Sequence, residues 1–416
     1  MTKAISDYEI YLYFSYLPKF PEADLQWINC DFDNDFGKGV NDESWWVREG
    51  VRAWKEAITN QVSTTDKNAD HVVLLSAGLD SRTILGGLLE NLPSSKVIAA
   101  TYGIPGAWDF EYAQKITQEI GIRHEVFNLL DEKWDVDQLA LAATRLSRPV
   151  SVHQSYIRQK INNHFGTDCV YWSGAFGDAI GGWGLPEVPN IDKRVAVEGY
   201  VDIEPTPHYK NQTFRSGLID KILAEFPWGQ MNQDKFSLDQ QLIFSLKEKF
   251  LLFPILLVKG FVFKTPFLDK RWVDFMSNVP YKWLLDRYLY KKIAQECYQE
   301  LSNLPSETAA GAPFYASHRE VLMRKAIAKI KPYIIKRDPY RSHPRTNYIN
   351  WTESLRHKGS FQETIYTTLQ DLKKRSIIEA ENIDTWWQDH LNRKVDYTTL
   401  LMNLSSLELL LKVGLI

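Results

Sequence analysis

The sequence predicts an α/β protein whose parallel sheet carries helices on both faces and is followed by a mostly helical C-terminal lobe. Between residues 71 and 180, short apolar runs alternate with segments of helical periodicity, as in parallel strands joined by helices. Near the end of the chain, residues 397–411 carry leucines at helical spacing. With 416 residues, of which 44% are apolar, the chain is long enough to bury such a core.

The first unit of this alternation is the most informative. His71–Leu75 is a short apolar run, typical of a strand that is buried on both faces. Small residues surround one acid, Asp80, in Ser76–Ser81, and an apolar pattern with helical spacing then continues until Asn91 and Pro93. This order predicts a strand, a tight turn and a helix.

The remaining pattern predicts further elements and the division of the chain. Strands are expected at 96–102, 125–130 and 168–172, and helices at 45–58, 111–121, 136–144 and 153–165. We expect a lead-in segment at 1–70 and one large domain at 71–416. That domain divides into an α/β core at 71–182, a variable insertion at 183–235 and a helical part at 236–416.

The turn after the first strand has the composition of an anion-binding site. Gly78 allows close backbone approach, the following helix directs its free N–H groups at the turn, and Ser76 and Ser81 add hydroxyl donors. Asp80 would repel a phosphate unless a divalent cation lies between them, and Mg²⁺ is the usual choice. An ordinary strand–turn–helix junction of small residues is the alternative.

Two other short segments are expected at the same edge of the sheet. Thr101-Tyr102-Gly103 lies at the end of one predicted strand, and Ser173-Gly174 follows another. Because ligands of parallel sheets bind beyond the carboxyl ends of the strands, these segments and Ser76–Ser81 can share one site.

These segments resemble known nucleotide-binding motifs. Ser-Ala-Gly-Leu-Asp-Ser at 76–81 is similar to the pyrophosphate loop of enzymes that split ATP between its α and β phosphates, and it lacks the Gly-Lys-Ser/Thr ending of a Walker loop. The segment from Ser173 to Gly182 resembles a motif of the asparagine synthetase family. In that family the Ser-Gly backbone meets the nucleoside and the aspartate is a second metal ligand. The resemblance therefore assigns Asp178 to the metal, although an aspartate at this position could also be a helix N-cap.

A third block strengthens the resemblance. Pro266-Phe-Leu-Asp269, with its spacing to Pro280, looks like the Arg-Val-Pro-Phe-Leu-Asp block of the same family, and the alternative is a packed loop at the base of a helix. The resemblance runs from about residue 8 to the end and implies an adenine nucleotide alpha hydrolase-like (PP-loop) fold. Residues 1–70 resemble the linker after the family's glutaminase domain, and that domain has no counterpart here.

The resemblance implies an ATP-dependent, AMP-forming amide ligase with ATP and Mg²⁺ as cofactors. Asp80 and Asp178 would bind the metal. ATP would be bound by Leu75, Ser76, Gly78, Leu79, Asp80, Ser81, Thr101, Tyr102, Gly103, Ser173 and Gly174. The acid would be a small-molecule, glycan or peptide carboxylate, in surface-polysaccharide or natural-product biosynthesis. The nitrogen would be ammonia, from solution or a separate glutaminase, or an amine.

Several family features are missing. Ala175 and Ala179 replace family acids, and the segment after Glu307 lacks the lysine thought to stabilise the adenylation transition state. Another cation would have to serve, and the candidates are Arg82, Lys264, Lys291 or, further on, Arg319.

Two other functions remain open. A catalytically degenerate nucleotide-binding or interaction protein would fit the missing lysine. A pyrophosphate-loop tRNA-modifying enzyme would need catalytic cysteines or a basic face, but the net charge is −3 and Cys30, Cys169 and Cys297 lack metal-site spacing, so nucleic acid is not an expected partner. The absence of a signal-like start and of any run of 18 apolar residues leads us to expect a cytoplasmic protein without a membrane span.

Overall fold

The computed structural model of the chain describes residues 5–28, 35–203, 205–207, 212–228, 235–306, 309–334 and 348–416. It is an α/β protein with a five-stranded, all-parallel sheet and a helical C-terminal region. The strands are β1 (His71–Leu74), β2 (Val97–Gly103), β3 (Arg123–Asn128), β4 (Val170–Trp172) and β5 (Phe263–Lys264).

Helices surround and follow this sheet. In the first part of the chain they are α1 (Asp7–Phe14), α2 (Glu43–Ser63), α3 (Leu79–Asn91), α4 (Trp108–Ile120), α5 (Val136–Thr144), α6 (Val152–Phe165), α7 (Gly177–Ile180), α8 (Lys193–Ile203), α9 (Gln212–Glu225) and α10 (Leu238–Leu242). A π-helix, Ile243–Leu252, continues from α10 into α11 (Phe253–Leu256). Then follow α12 (Lys270–Asn278), α13 (Tyr281–Leu284), α14 (Tyr288–Cys297), α15 (Gln299–Ser302), α16 (His318–Ile334), α17 (Trp351–Arg356), α18 (Ser360–Lys374), α19 (Ala380–Leu391) and α20 (Thr398–Lys412). Short 3₁₀ turns lie at Phe20–Glu22, Ser94–Lys96, Pro266–Leu268 and Leu285–Arg287.

The strand order β3-β2-β1-β4-β5 places β1 at the centre of the sheet. The chain builds β2 and β3 on one side of β1 and then crosses over to place β4 on the other side. His71 of β1 is in register with Val97 of β2 and with Val170 of β4. The carboxyl ends of β1 and β4 are therefore neighbours where the order reverses, which is the usual ligand position in open parallel sheets.

Alternate strand residues enter two separate hydrophobic clusters. Val73 and Val97 belong to a large cluster with Ile84 of α3. Val72 and Ile98 belong to a smaller cluster with Ile161 of α6 and Tyr171 of β4. The predicted burial of the first strand on both faces is confirmed.

The two ends of the described chain pack together. Tyr11 and Tyr13 of α1 are buried in the large cluster, as are Leu400, Leu404 and Leu407 of α20. The side chain of Asn403 donates a hydrogen bond to the Ser15 hydroxyl over 2.7 Å, linking α20 to the end of α1. The predicted apolar face of the last helix is confirmed at these three leucines, while Leu411 is only partly buried.

Most predicted elements are observed within a few residues of their expected bounds, with two differences. Gly103, expected in a turn after the strand, is the last residue of β2. The two-residue strand β5, which was not predicted, pairs with β4 through Tyr171 and Phe263. Among the helices of the described ranges, none combines the length and the apolar character needed to cross a membrane.

Candidate active site

The turn that joins β1 to α3 is held by its own polar groups. The backbone N–H of Ser76 donates to the Ser81 hydroxyl over 3.2 Å, and the N–H of Gly78 donates to the Ser76 hydroxyl over 3.0 Å. The N–H of Ala77 donates to a carboxylate oxygen of Asp109 over 2.8 Å. These bonds hold the turn in a compact conformation without the help of a ligand.

The N-terminus of α3 carries no side-chain cap. Gly78 is the residue before the helix, and its φ of −78° is one that any residue adopts. Glycine is required here because there is little room for a side chain, since a Cβ would lie 3.0 Å from the Ser76 hydroxyl. Gly78 also lines the cavity that lies beyond the strand ends and is described below. An uncapped helix N-terminus offers N–H donors and a positive dipole end to an anion.

Asp80 and the turn after β4 are in close contact. A Cβ on Gly177 would lie 2.6 Å from the carboxyl carbon of Asp80, and a Cβ on Gly174 would lie 3.0 Å from its Cβ. Although part of Asp80 faces the cavity, enclosure by protein and then the charge of Asp178 raise the pKa of Asp80 well above its usual value. The two carboxylates thus converge, as the sequence predicted, and together they would favour a bound cation.

Helix α14 and the 3₁₀ turn just before it supply partners to both acids. The guanidinium of Arg287 forms an ion pair with Asp178, and the Tyr290 hydroxyl donates to an Asp80 carboxylate oxygen over 2.9 Å. Burial lowers the pKa of Arg287, but the negative charges of Asp178 and Asp80 outweigh this effect and keep the pKa above its usual value. Gly182, with a φ of +104°, lets the end of α7 approach closely, because a Cβ there would lie 2.1 Å from the carbonyl oxygen of Leu284.

A cavity of about 320 Å³ lies beyond the carboxyl ends of β1, β2 and β4. Ten of the predicted nucleotide- or metal-binding residues line it: Leu75, Ser76, Gly78, Asp80, Ser81, Thr101, Tyr102, Ser173, Gly174 and Asp178. Leu79 instead packs into the large hydrophobic cluster. Gly103 lies at the end of β2, where a Cβ would meet the carbonyl oxygen of Tyr348 at 3.0 Å. The cavity is within the size range of small-molecule sites.

The three predicted catalytic cations do not line this cavity. Arg82 is 2% exposed and donates to the carbonyl oxygens of Leu304 and Ala77, each over 3.0 Å. The Lys264 ammonium donates to the Thr64 hydroxyl over 2.8 Å. Lys291 is partly buried, and burial and then the charge of Arg287 lower its pKa. Arg319 lies on α16.

Four polar or charged residues that line the cavity were missed by sequence reasoning. Asp109 holds the turn, and Arg158 of α6 is the only basic residue among those described as lining the cavity. The guanidinium of Arg158 lies 5.6 Å from the centre of the Tyr102 ring. Tyr348 and Glu248 complete the set. They come from segments far apart in the chain and carry no motif, so only the fold brings them together.

Two details of the turn after β4 and of a later loop concern specific predictions. Asp178 is not the N-cap of α7, because Phe176 holds that position with a φ of +72°. This leaves the Asp178 carboxylate without a capping role.

The loop in which the family lysine is missing includes Glu307 and Thr308, which lie outside the described residues.

The donor set fits a divalent cation that is shared with a phosphate. Asp80 and Asp178 supply carboxylate oxygens, the ligands that Mg²⁺ prefers. No group of three or more His, Cys, Asp or Glu side chains in the described parts of the chain is arranged to hold a metal ion. A magnesium ion bound largely through phosphate oxygens and water needs only one or two carboxylates. No protein-family model matches the chain.

Proposed function

We propose that this protein is an ATP-dependent, AMP-forming ligase that joins a carboxylic acid to a nitrogen nucleophile, and that its motifs serve as those of the asparagine synthetase family, which they resemble. The observation that carries the proposal is the meeting of Asp80 and Asp178 at the carboxyl ends of β1 and β4, beside the uncapped N-terminus of α3. A phosphate chain with its cation matches this combination of donors and acids.

The proposed reaction has two steps. A carboxylate oxygen of the acid attacks the α-phosphorus of ATP, the bond to the β-phosphate oxygen breaks, and pyrophosphate leaves. The nitrogen then attacks the acyl carbon, the bond to the AMP oxygen breaks, and the amide, AMP and one proton are released. When bound, Mg²⁺ would neutralise charge on the phosphates and on the departing pyrophosphate.

The residues of the chain would orient the substrates and offset their charge. The N–H groups at the start of α3 and the hydroxyls of Ser76 and Ser81 would hold the outer phosphates. Arg158 lines the cavity and is the basic residue best placed to stabilise negative charge in the transition state. A positioned cation typically lowers the free energy of such a transition state by several kcal/mol. Ser173 and Gly174 would face the nucleoside, as in the family that the sequence resembles.

The finer fold assignment is part of the same proposal. The strand order, with the site between β1 and β4 at the point of reversal, supports a PP-loop (adenine nucleotide alpha hydrolase-like) fold with helices on both faces of the sheet. A cytoplasmic location and a separate ammonia source stay predictions.

A pyrophosphate-exchange screen tests the proposal. Labelled pyrophosphate should enter ATP when the purified chain is given Mg²⁺, ATP and the right carboxylic acid, because acyl-adenylate formation is reversible. Asp80→Ala should abolish the exchange, and Arg158→Gln should lower its rate about 10²–10³-fold. The matched surface variant Arg194→Gln should leave it unchanged, since Arg194 pairs with Asp220 on exposed helices. ADP as the nucleotide product would overturn the proposal.

A catalytically degenerate nucleotide-binding protein is the second candidate. One observation favours it: the three basic residues expected from the sequence do not line the cavity. That function predicts Mg²⁺–ATP binding without exchange for any acid. The tRNA-modifying alternative gains no support from Cys297, since burial raises the pKa of its thiol to about 12, while Cys30 lies outside the described residues.

A further inference from the structure

Glu248 is a buried carboxylate that the proposed nucleotide chemistry does not use. It lies on the π-helix Ile243–Leu252, is 2% exposed, and lines the same cavity as Asp80 and Asp178. The backbone of Phe176 hydrogen-bonds to its carboxylate, but the Oε2 atom has no hydrogen-bond partner among the described residues. Because a buried, unpaired carboxylate oxygen opposes folding, stability alone does not account for this residue.

Charged groups of both signs act on Glu248, and the positive charge of Lys247, which lowers the pKa of Glu248, acts more strongly than the negative charge of Asp178. Asp178 contributes negative charge from the neighbouring helix α7. The ammonium of the adjacent Lys247 lies 3.8 Å from the centre of the Trp183 ring. The part of the cavity next to Glu248 therefore combines a carboxylate oxygen without a partner and a second carboxylate nearby.

The ligand is better explained as an organic cation than as a further metal ion. In the described chain, no three acidic, histidine or cysteine side chains form a metal-binding group. Leu252 and Leu256 follow Glu248 at intervals of four residues and line the same cavity, and so does the ring of Phe176. These apolar side chains would be poor neighbours for a hydrated metal ion but suit a carbon chain.

We propose that this part of the cavity binds the amine that supplies the nitrogen nucleophile as a primary alkylammonium ion, with its charged group on the Glu248 carboxylate and its carbon chain against Leu252 and Leu256. The ion passes one proton to this carboxylate, and the neutral amine then attacks the acyl carbon. The inference rests on the proposed function, because it names the nitrogen donor of that reaction. It selects an organic amine over free ammonia.

The protonation of Glu248 agrees with this assignment. Burial and then the charge of Asp178 raise the pKa of Glu248 to about 8, so the carboxyl is poised to ionise when a cation arrives. The π-helical backbone that carries it is a rare conformation that occurs frequently at functional sites.

Calorimetric titration of the full chain with n-butylammonium chloride tests the proposal, in the presence of Mg²⁺ and α,β-methylene-ATP, at pH 8. We expect n-butylammonium to bind at least tenfold more tightly than ammonium chloride or n-butanol, which lack the carbon chain and the charge respectively. Glu248→Gln should weaken n-butylammonium binding at least tenfold when both proteins are titrated at saturating nucleotide. Glu408→Gln is the matched control, since Glu408 is equally buried but pairs with Arg375 outside the cavity.

The outcomes separate this inference from the proposed function. Equal binding of n-butylammonium by the wild type and by Glu248→Gln would overturn the inference, and so would the absence of binding by a wild type that binds the nucleotide. Binding of n-butanol or ammonium chloride as tight as that of n-butylammonium would also overturn it. If the nucleotide does not bind, the proposed function fails, and the same titration without nucleotide still decides whether Glu248 holds an ammonium group.

Discussion

At the scale of single residues, the site depends on how closely two glycines let the turn after β4 approach Asp80. Gly177 leaves room for the Asp80 carboxylate, and Gly174 leaves room for its Cβ. Tyr290 on α14 and Arg287, the residue just before that helix, are polar partners of Asp80 and Asp178 respectively. A small displacement of Asp80 would therefore change the position of its carboxylate relative to that of Asp178.

Gly177→Ala is expected to weaken binding of Mg²⁺–α,β-methylene-ATP at least tenfold. The new methyl group would lie 2.6 Å from the carboxyl carbon of Asp80, which is too close for contact without movement of that carboxylate. Fluorescence or calorimetric titration measures the loss. Gly199→Ala is the control, because a Cβ at this helical glycine meets nothing within 4 Å. Unchanged affinity in Gly177→Ala would contradict the assigned role of Asp80.

At the scale of elements, Arg82 shows why a residue next to a motif need not belong to its chemistry. It follows Ser81 directly, yet its position on α3 directs its guanidinium away from the cavity and toward the carbonyl oxygens of Leu301 and Leu304. Burial lowers the pKa of Arg82 to about 9. Its contacts join α3 to the turn after α15.

Arg82→Met is expected to lower the free energy of unfolding by about 2–4 kcal/mol, since several buried carbonyl groups lose their donor. Urea denaturation of the two proteins measures this difference. In contrast, Arg52→Met should change stability by less than about 0.5 kcal/mol, because the Arg52 side chain is 65% exposed and forms a surface ion pair with Glu49. A folded, fully stable Arg82→Met protein that had lost nucleotide binding would instead support a catalytic role for Arg82.

The sequence was most informative where structure is local. Periodicity and end signals located α3, α4 with its Gly121 cap, and the buried strands β1 and β2, because each depends on neighbouring residues. The strand β5 is too short to leave a pattern, and its pairing with β4 depends on contacts about ninety residues away in the chain. For the same reason the motif residues of the site could be predicted, whereas Arg158 and Glu248 could not.

At the scale of the whole molecule, the fold places several acidic side chains together at one edge of the sheet, and their burial lowers the stability of the folded protein. Asp80 and Glu248 both have raised pKa values, chiefly because protein encloses them, and Asp178 raises each further. Buried acids of this kind disfavour folding, and they are common at active sites, where their chemistry is needed.

The stability of the wild type relative to Glu248→Gln is expected to fall as pH rises from about 4.5 to about 8. In this window the unfolded chain has released the Glu248 proton while the folded protein, with its raised pKa of about 8, still holds it. The folded state binds more protons, so stability decreases with pH, by a total on the order of a few kcal/mol. The charged groups that act on Glu248 are Lys247, Asp178 and Asp80.

Urea denaturation of both proteins without metal, at several pH values, measures this effect, since titration of groups common to both largely cancels. The two curves should separate progressively and then run parallel above about pH 8. A constant difference across the window would mean that Glu248 ionises normally in the folded protein.

The location of a bound cation tests the central claim most directly. Crystals grown with Mn²⁺ and α,β-methylene-ATP would reveal the metal by its anomalous scattering. The account predicts a manganese peak in contact with the carboxylates of both Asp80 and Asp178, and phosphates against Ser76–Ser81 at the start of α3. A nucleotide bound away from the ends of β1 and β4, or a metal that contacts neither acid, would contradict it.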